Sequence, residues 1–487
     1  MPKKEDRKTA RVWNGRANSR IPRVLFFFLE IWGGLMRSSV RCSLKGESSE
    51  GIKRIRIKYF TTKRIRKMEL FETALFKGKT QPVSMLQVQE AYKKVKRNGG
   101  AGGVDGIEIA DYEASKAKNL YKLWNRMASG SYHPAAVRTV EIPKSDGSKR
   151  QLGIPTIADR IAQQVVKDVL ETRMEQVFHK DSYGYRPHKS AHDAIGQCRE
   201  RCFKHPYVID LDIKGFFDNI NHELMMQVMH YYVSEKWILL YVERWLKSPM
   251  RGKNGKDEAR TQGTPQGGVI SPLLANMFLH VVFDSWISQK YPALKWERYA
   301  DDIIIHCDSE AECHEVLKTV RSRLETMGLT AHEEKTKIVY CKNGRRKDDY
   351  PINSFTFLGY SFQPRRCANR EGTLFLGFTP SISPKAEQHI RDEVRKYRIH
   401  RAAHLELPQI AALFESKLRG WIHYYGKFTP SGMERLLSDW FNQKLGRWVK
   451  NKYKTCRGSL TKGMNKLKEI YKSFPNLFVH WQYGYHP

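Results

Sequence analysis

Two adjacent carboxylates, Asp301 and Asp302, stand in the stretch WERYADDIIIHC between an aromatic-rich run and three isoleucines. Both flanks read as β-strands, because β-branched and aromatic side chains dominate them, and the acids fall where a tight hairpin would turn. Aspartate is common in turns for a local reason, since its side chain bonds nearby backbone. Two like charges held side by side point to further chemistry: they call for a counter-cation, and a hard divalent metal with oxygen ligands is the usual one. That chemistry needs a third carboxylate from elsewhere in the chain.

The segment HPYVIDLDIKGFFDNINHE offers one. A period of two puts Ile209, Leu211 and Ile213 on one strand face and Val208, Asp210 and Asp212 on the other, the ordinary non-core face. The strand runs into Phe216 and Phe217, so its acids sit beside a hydrophobic shelf at the strand end. Between the two acidic segments, GTPQGGVISPLLAN joins a glycine-rich turn to a helix start. Ser271 is expected as N-cap and Pro272 as first helical residue, and free N–H groups there would suit phosphate or base.

Other elements must support this core. VQEAYKKVKRNGGAGGVDG reads as a short helix into a glycine-rich loop, and IADRIAQQVVKDVLETRMEQVF as a helix with Ile161, Val165, Val166, Val169 and Leu170 on one buried face. SYGYRPHKSAHDA mixes Tyr183, Tyr185, Arg186, His188 and Lys189, a composition that suits base stacking and phosphate contact. In LRGWIHYYGKF, about half of the aromatic rings are expected in a core. The remainder, with Arg419 and Lys427, are candidates for a nucleic-acid groove. The segment from Asn442 interleaves Trp448, Tyr453, Tyr471, Trp481 and Tyr483 with cations and is read as a nucleic-acid surface.

At 487 residues and 40% hydrophobic, the chain can bury the cores of two to four domains. Its formal net charge of +34 favours a polyanionic partner over a small substrate. The excess concentrates at the ends: residues 1–67 hold 19 Lys and Arg against 5 Asp and Glu, and residues 441–487 hold 10 against 1. The 8 cysteines include no C-x2-C pair, and Cys198 and Cys202, four apart on a predicted helix, have a spacing that suits packing more than ligation. All are expected as reduced thiols. VLFFFLEIW is short and broken by Glu30, so neither a signal peptide nor a membrane span is expected.

In chain order, IPKSDGSKRQLGIPTIADRIAQQVVKDVLE, SYGYRPHKSAHDAI, DIKGFFDNINHE, GTPQGGVISPLLAN, RYADDIIIHC, HEEKTKIVY and FTFLGYSF resemble the successive blocks of group II intron-encoded reverse transcriptases, or maturases. The resemblance runs from about Pro82 to the C-terminal end. It implies an α+β right-hand polymerase with fingers, palm and thumb and an antiparallel palm sheet. Fingers and palm are expected over 81–380, a helical thumb or maturase X domain over 381–441, and a basic nucleic-acid-binding tail over 442–487. Residues 1–80 form a basic extension with no recognised block, read as either a basic arm or an upstream extension of the reading frame that is not translated; the family's usual start would fall near Met68 or Met85, and residues 1–67 are expected to be dispensable.

The implied activity is RNA-directed DNA polymerisation on an RNA template with a DNA primer and dNTPs, joined to binding of the group II intron RNA for splicing and mobility and to binding of target DNA. Asp212, Asp301 and Asp302 become the catalytic residues and the ligands of two Mg2+ ions. By the same matching Lys144 and Arg150 contact the incoming nucleotide, Gln266 contacts that nucleotide or the template, and Phe217 lies under the sugar, excluding a 2′-OH. Lys335 approaches the active site. Arg186 and Lys189 are template contacts. The implied place is the bacterial cytoplasm, at the nucleoid when bound to DNA. Rival readings are a non-catalytic RNA-binding splicing factor and a reverse transcriptase of another bacterial retroelement or defence system. With no paired cysteines after the basic segment, no cleavage of the second DNA strand is expected.

Overall fold

The computed structural model describes residues 81–143, 149–252, 254–369 and 371–487; the expected extension over 1–80 and Lys144 lie outside the described residues. The first helix, α1 (Met85–Asn98), opens on a capping box in which Ser84 and Gln87 satisfy each other's backbone N–H, and it stops at Gly99, whose φ of 66° a glycine adopts without steric cost. After α2 (Lys116–Ala128) come β1 (Val137–Pro143) and β2 (Lys149–Ile154), antiparallel partners in a four-stranded sheet. Helix α3 (Ile157–Met174) is capped by Thr156 and buries far more than one stripe, including Asp159, Arg160, Gln163 and Gln164. Of its expected apolar face, Val169 alone is half-buried.

Helix α4 (Ala191–Lys204) leads into β3 (Tyr207–Asp212), the strand that carries the first catalytic candidate. Helices α5 (His222–Tyr232) and α6 (Lys236–Leu246) and the short strands β4 (Met250–Arg251) and β5 (Asp257–Glu258) precede α7 (Ser271–Leu279). The hairpin β6 (Lys295–Tyr299) and β7 (Asp302–Cys307), helix α8 (Glu310–Thr326) and β8 (Lys337–Tyr340) complete a sheet of order β6-β7-β3-β8 in which every pairing is antiparallel.

Ile303, Ile304 and Ile305 are all fully buried, which a one-faced sheet would not permit for consecutive residues. The cause is that both faces are covered. Val208, expected on the ordinary exposed face, is fully buried in a cluster with α4 and with the second antiparallel sheet β9 (Phe355–Phe357), β10 (Tyr360–Ala368) and β11 (Leu374–Ile382). Each isoleucine contributes about 1.5–3 kcal/mol by leaving water. The strand that must present acids at one end is therefore anchored along the rest of its length.

The remainder is helical. Ser383 caps α9 (Pro384–Lys396), with proline at the first position where no N–H is needed. Helices α10 (Leu407–Tyr425), α11 (Asn442–Lys452), α12 (Leu460–Ser473) and α13 (Val479–Gln482) follow. One apolar core runs from Ile382 to Tyr485 and contains Trp448, Leu467 and Trp481. Residues 442–487 are thus not an appended tail: Asn442 is fully buried, accepts from His480 Nε2 at 2.9 Å and Trp481 Nε1 at 3.0 Å, and donates to the Tyr485 carbonyl at 3.2 Å. The expected boundary at 441/442 falls inside a core, because the aromatic residues read as a binding surface are mostly its filling. Among the described residues no helix is long and apolar enough to cross a membrane.

Candidate active site

Antiparallel pairing of β3 with β7 sets the C-terminal end of one strand against the start of the other, and Asp212 stands directly opposite Asp302. Tyr299 pairs with Asp302 across β6 and β7, leaving Ala300 and Asp301 as a two-residue turn with Ala300 in the left-handed region at φ 58°. The hairpin tip expected from the sequence is present. The carboxylates of Asp212, Asp301 and Asp302 open into one cleft of about 1090 Å³. Arg150, Phe217, Gln266 and Lys335 line the same cleft.

A buried ion pair shapes the turn. Arg298, fully buried, meets Asp284 at 2.6 Å and donates to the Ala300 carbonyl at 3.1 Å, to Asn276 Oδ1 at 3.0 Å and to Ser182 Oγ at 2.8 Å. From the other side Gly184 closes on the turn so tightly that a Cβ there would lie 2.4 Å from the Ala300 nitrogen. The sequence reading missed Arg298 and Asp284. Their one signal was an acid, Asp284, in the largely apolar helical run HVVFD, since Arg298 shares the strand KWERY with Lys295 and Glu297.

The like charges repel, and the protein around the cleft adds to this. Asp302 opens to the cleft, yet burial first, then Asp301 and Asp212, push its carboxyl up to about 7. Asp301 is raised too, chiefly by burial. Neither makes an ion pair among the described residues, whereas Lys335 Nζ reaches Asp212 Oδ2 at 3.2 Å. Asp210, two residues back from Asp212, is also pushed up to about 7 by burial, with Lys337 at 4.0 Å. A hard cation among the three converging carboxylates would relieve the repulsion and favour the charged forms of Asp301 and Asp302, so the donor set fits such an ion.

Arg150 Nε donates to Gln266 Oε1, and Gln266 Nε2 points to both Asp218 oxygens at 3.4 Å. The loop of Gln266 is fixed through its backbone: the Gly153 N–H donates to the Gln266 carbonyl at 2.7 Å, and a Cβ on Gly267 would lie 2.5 Å from the Gly153 oxygen. Phe217, 7% exposed, and Phe216, 2% exposed, are both buried and both border the cleft. The turn HEEKTK joins the end of β3, since the His332 N–H donates to the Asp212 carbonyl at 2.8 Å. Lys385, at the start of α9, and His332 also line the cleft and were not singled out from the sequence.

Three expectations need correction. Ser271 is not the N-cap of α7: Ile270 holds that place, Ser271 is already helical, and its hydroxyl accepts from Thr264. The N–H groups expected to be free for phosphate are turned to Gln163, whose Oε1 accepts from Val269 at 2.8 Å and Ile270 at 3.4 Å. Arg186 is buried and forked onto Glu175, with Nη1 on the carbonyls of His179 and Ser182, each at 2.7 Å. It therefore braces its loop instead of facing a polyanion.

Lys189 reaches the Lys180 carbonyl at 2.7 Å and lies 4.8 Å over the Tyr183 ring. Arg419 and Lys427 are exposed, Arg419 beside Glu415 at 3.1 Å. Tyr424 and Tyr425 pack on Tyr360, and Tyr424 hydrogen-bonds Leu358, so these rings join the helical domain to β10.

Residues 142–378 match the family model described as Reverse transcriptase (RNA-dependent DNA polymerase), and residues 387–467 match that described as Group II intron, maturase-specific domain. The second match crosses 441/442, in agreement with the continuous helical core. Protein YkfC of Escherichia coli (strain K12) is 31% identical over 54% of this chain and 76% of its own length. Group II intron-encoded protein LtrA of Lactococcus lactis subsp. cremoris is 30% identical over 55% of this chain and 43% of its own length, so the match spans less than half of LtrA.

Proposed function

Because the chain belongs to the group II intron reverse transcriptases that carry a maturase domain, we propose that it copies RNA into DNA at the cleft of Asp212, Asp301 and Asp302 and binds its group II intron RNA to promote splicing and mobility. The convergence of three carboxylates from two strand ends with Arg150, Gln266 and Phe217 in one cleft is the observation that carries this reading. In the right-hand description, residues around β1, β2 and α3 act as fingers, the sheet β6-β7-β3-β8 as palm, and the helices after Ser383 as thumb.

Asp212, Asp301 and Asp302 would hold two Mg2+ ions, which when bound activate the primer 3′ oxygen and neutralise the leaving pyrophosphate. The protein's own part is placement. Arg150, steadied by Gln266, binds the triphosphate from the β2 side, with Lys144 assigned to the same task. Phe217, at the shelf beyond Asp212, supports the sugar and leaves no room for a 2′-OH. Lys335 balances part of the negative charge on Asp212. Helix α9 brings Lys385 to the rim and extends the basic surface along which an RNA template and DNA primer would lie.

Exposed cations of the helical domain, Arg419 and Lys427 among them, serve intron RNA and target DNA, in the cytoplasm and at the nucleoid. Primer extension on an RNA template tests the reading: wild-type protein should extend with Mg2+ and dNTPs, and Asp301→Asn should not. Splicing support retained by Asp301→Asn would separate the two activities. Wild-type protein that splices without any extension would leave the non-catalytic maturase in its place.

A further inference from the structure

The loop from Ser182 to Arg186 is tied to β6 and to the catalytic turn at nearly every residue. Ser182 bridges to Arg298, the Tyr183 N–H donates to the Arg298 carbonyl at 2.8 Å, and the Gly184 carbonyl accepts from Asn276 Nδ2 at 2.7 Å. Tyr183 is buried, and Arg186 is taken up by Glu175. Tyr185 stands apart. Its side chain is 52% exposed and makes no hydrogen bond among the described residues. Its ring meets that of Tyr299, with centroids 6.4 Å apart and planes tilted by 43°. The backbone of Tyr185 lies at φ 57°, in the left-handed region that glycine enters freely and a residue with a Cβ enters at a cost. A strained backbone that turns an idle ring towards a reaction cleft points to something the ring touches there.

Tyr185 lines the same cleft as Asp301 and Asp302. The direction from which it enters indicates its partner. Phe217 follows β3, and Lys335 reaches Asp212 from the turn before β8, so both stand on the β3 side of the acids in the order β6-β7-β3-β8. Tyr185 enters from the β6 side, beside Tyr299, which faces Asp302 across the hairpin. In the polymerase reading the incoming nucleotide takes the side of Phe217, which leaves the β6 side to the strand being extended.

We propose that Tyr185 is a substrate-contacting residue of this reaction: its ring stacks on the base at the primer 3′ end and holds the terminal pair over Asp301 and Asp302. The proposal rests on the polymerase reading of the cleft. Every base has a π face, so the contact accepts any matched end whatever its sequence. A mispaired terminal base is displaced from the ring and loses it. Tyr185 thereby makes extension depend on the fit of the last pair, a task for which the loop is fixed at Ser182, Gly184 and Arg186 and this one ring is left open.

The test compares the full chain with Tyr185→Phe and Tyr185→Gly on an RNA template annealed to a DNA primer. Glycine removes the ring and relieves the left-handed backbone, so the melting temperature of Tyr185→Gly should hold or rise. Its extension from a matched end should nonetheless drop about tenfold or more, and its preference for a matched over a mismatched 3′ end should shrink by a similar factor, while Tyr185→Phe stays near wild type. A primer ending in 2-aminopurine gives a readout that needs no catalysis: emission in the complex should rise on Tyr185→Gly and not on Tyr185→Phe. Extension absent from wild type and variants, with this emission difference intact, would strike the polymerase reading and keep the contact. Unchanged extension, end preference and emission in Tyr185→Gly would overturn the contact and keep the polymerase. A lowered melting temperature with extension unchanged would also overturn it, and would make the ring part of the fold.

Discussion

The strand ends of the antiparallel sheet and the helical domain after Ser383 both carry side chains suited to nucleic acid, and they treat them in opposite ways. At the strand ends three acids are kept open to a cleft although burial and neighbouring carboxylates disfavour the charge of Asp301 and Asp302. In the helical domain the tryptophans and several tyrosines that could stack on bases are drawn into the core. The difference lies in the residue type. A carboxylate cluster has no low-cost place in a core, so wherever it occurs it points to chemistry. Tryptophan fills a core or meets a base with equal ease, so its presence decides nothing.

The largest expected effect breaks the comparison on its catalytic side. Asp301→Asn should lower primer extension by about 10²–10³-fold or more, since charge stabilisation at the reacting centre is worth that much, while the melting temperature holds or rises as repulsion is removed. Measured together, activity retained or stability lost would show that the acids serve the fold. On the other side, Trp448→Ala should cost about 3–5 kcal/mol in denaturant unfolding, because the indole is fully buried and its Nε1 donates to the Ala402 carbonyl at 2.8 Å. Unchanged stability with weakened RNA binding would restore Trp448 to a nucleic-acid surface.

Phe217→Val should sharpen the comparison, as this ring is both nearly buried and part of the cleft. Discrimination between dNTPs and rNTPs in single-nucleotide kinetics should fall by about tenfold to a hundredfold; an unchanged ratio would make it plain core.

A smaller effect concerns pH. The Asp302 carboxyl is raised from 3.8 to about 7, so its contribution to stability is complete below the lower value and is lost as pH rises through the upper one. Because the group opens to the cleft, solvent screening holds this to about 1 kcal/mol. Metal-free protein should therefore melt lower at pH 8 than at pH 5, Mg2+ should restore more at pH 8, and Asp302→Asn should flatten both trends in differential scanning fluorimetry. The smallest effect belongs to Arg419→Ala with Lys427→Ala, which should reduce the salt slope of RNA binding by about 1–2. A slope left unchanged would put the contact elsewhere in the helical domain.

Local rules made the catalytic end of the sheet legible. Alternation put Asp212 on its face, and the strand–turn–strand pattern around Asp301 set the hairpin with Asp302 at the first paired position. What was not legible depends on partners far away in the chain. Gln163 takes the N–H groups before α7 from more than a hundred residues upstream, so no cap rule applied to GTPQGGVISP could foresee it. Arg186 finds Glu175, and Asn442 finds His480 and Trp481, only once the helices have packed. Composition alone read these as surface.

The join between Gln266 and the β1–β2 hairpin carries a consequence for how this protein tolerates mutation. It runs through a main-chain hydrogen bond and through missing side-chain atoms: at Gly153 a Cβ would lie 2.7 Å from a Val137 methyl, and at Gly267 it would meet the Gly153 oxygen. Exchange of neighbouring side chains leaves such a link intact, so the spacing of Arg150 from the acids is insulated from most sequence drift nearby. The same link is brittle at two codons, where a single added carbon would prise the nucleotide side of the cleft from its floor. In a saturation library this region should therefore read as a plateau of tolerated changes cut by narrow gaps, those at Gly153 and Gly267 among them.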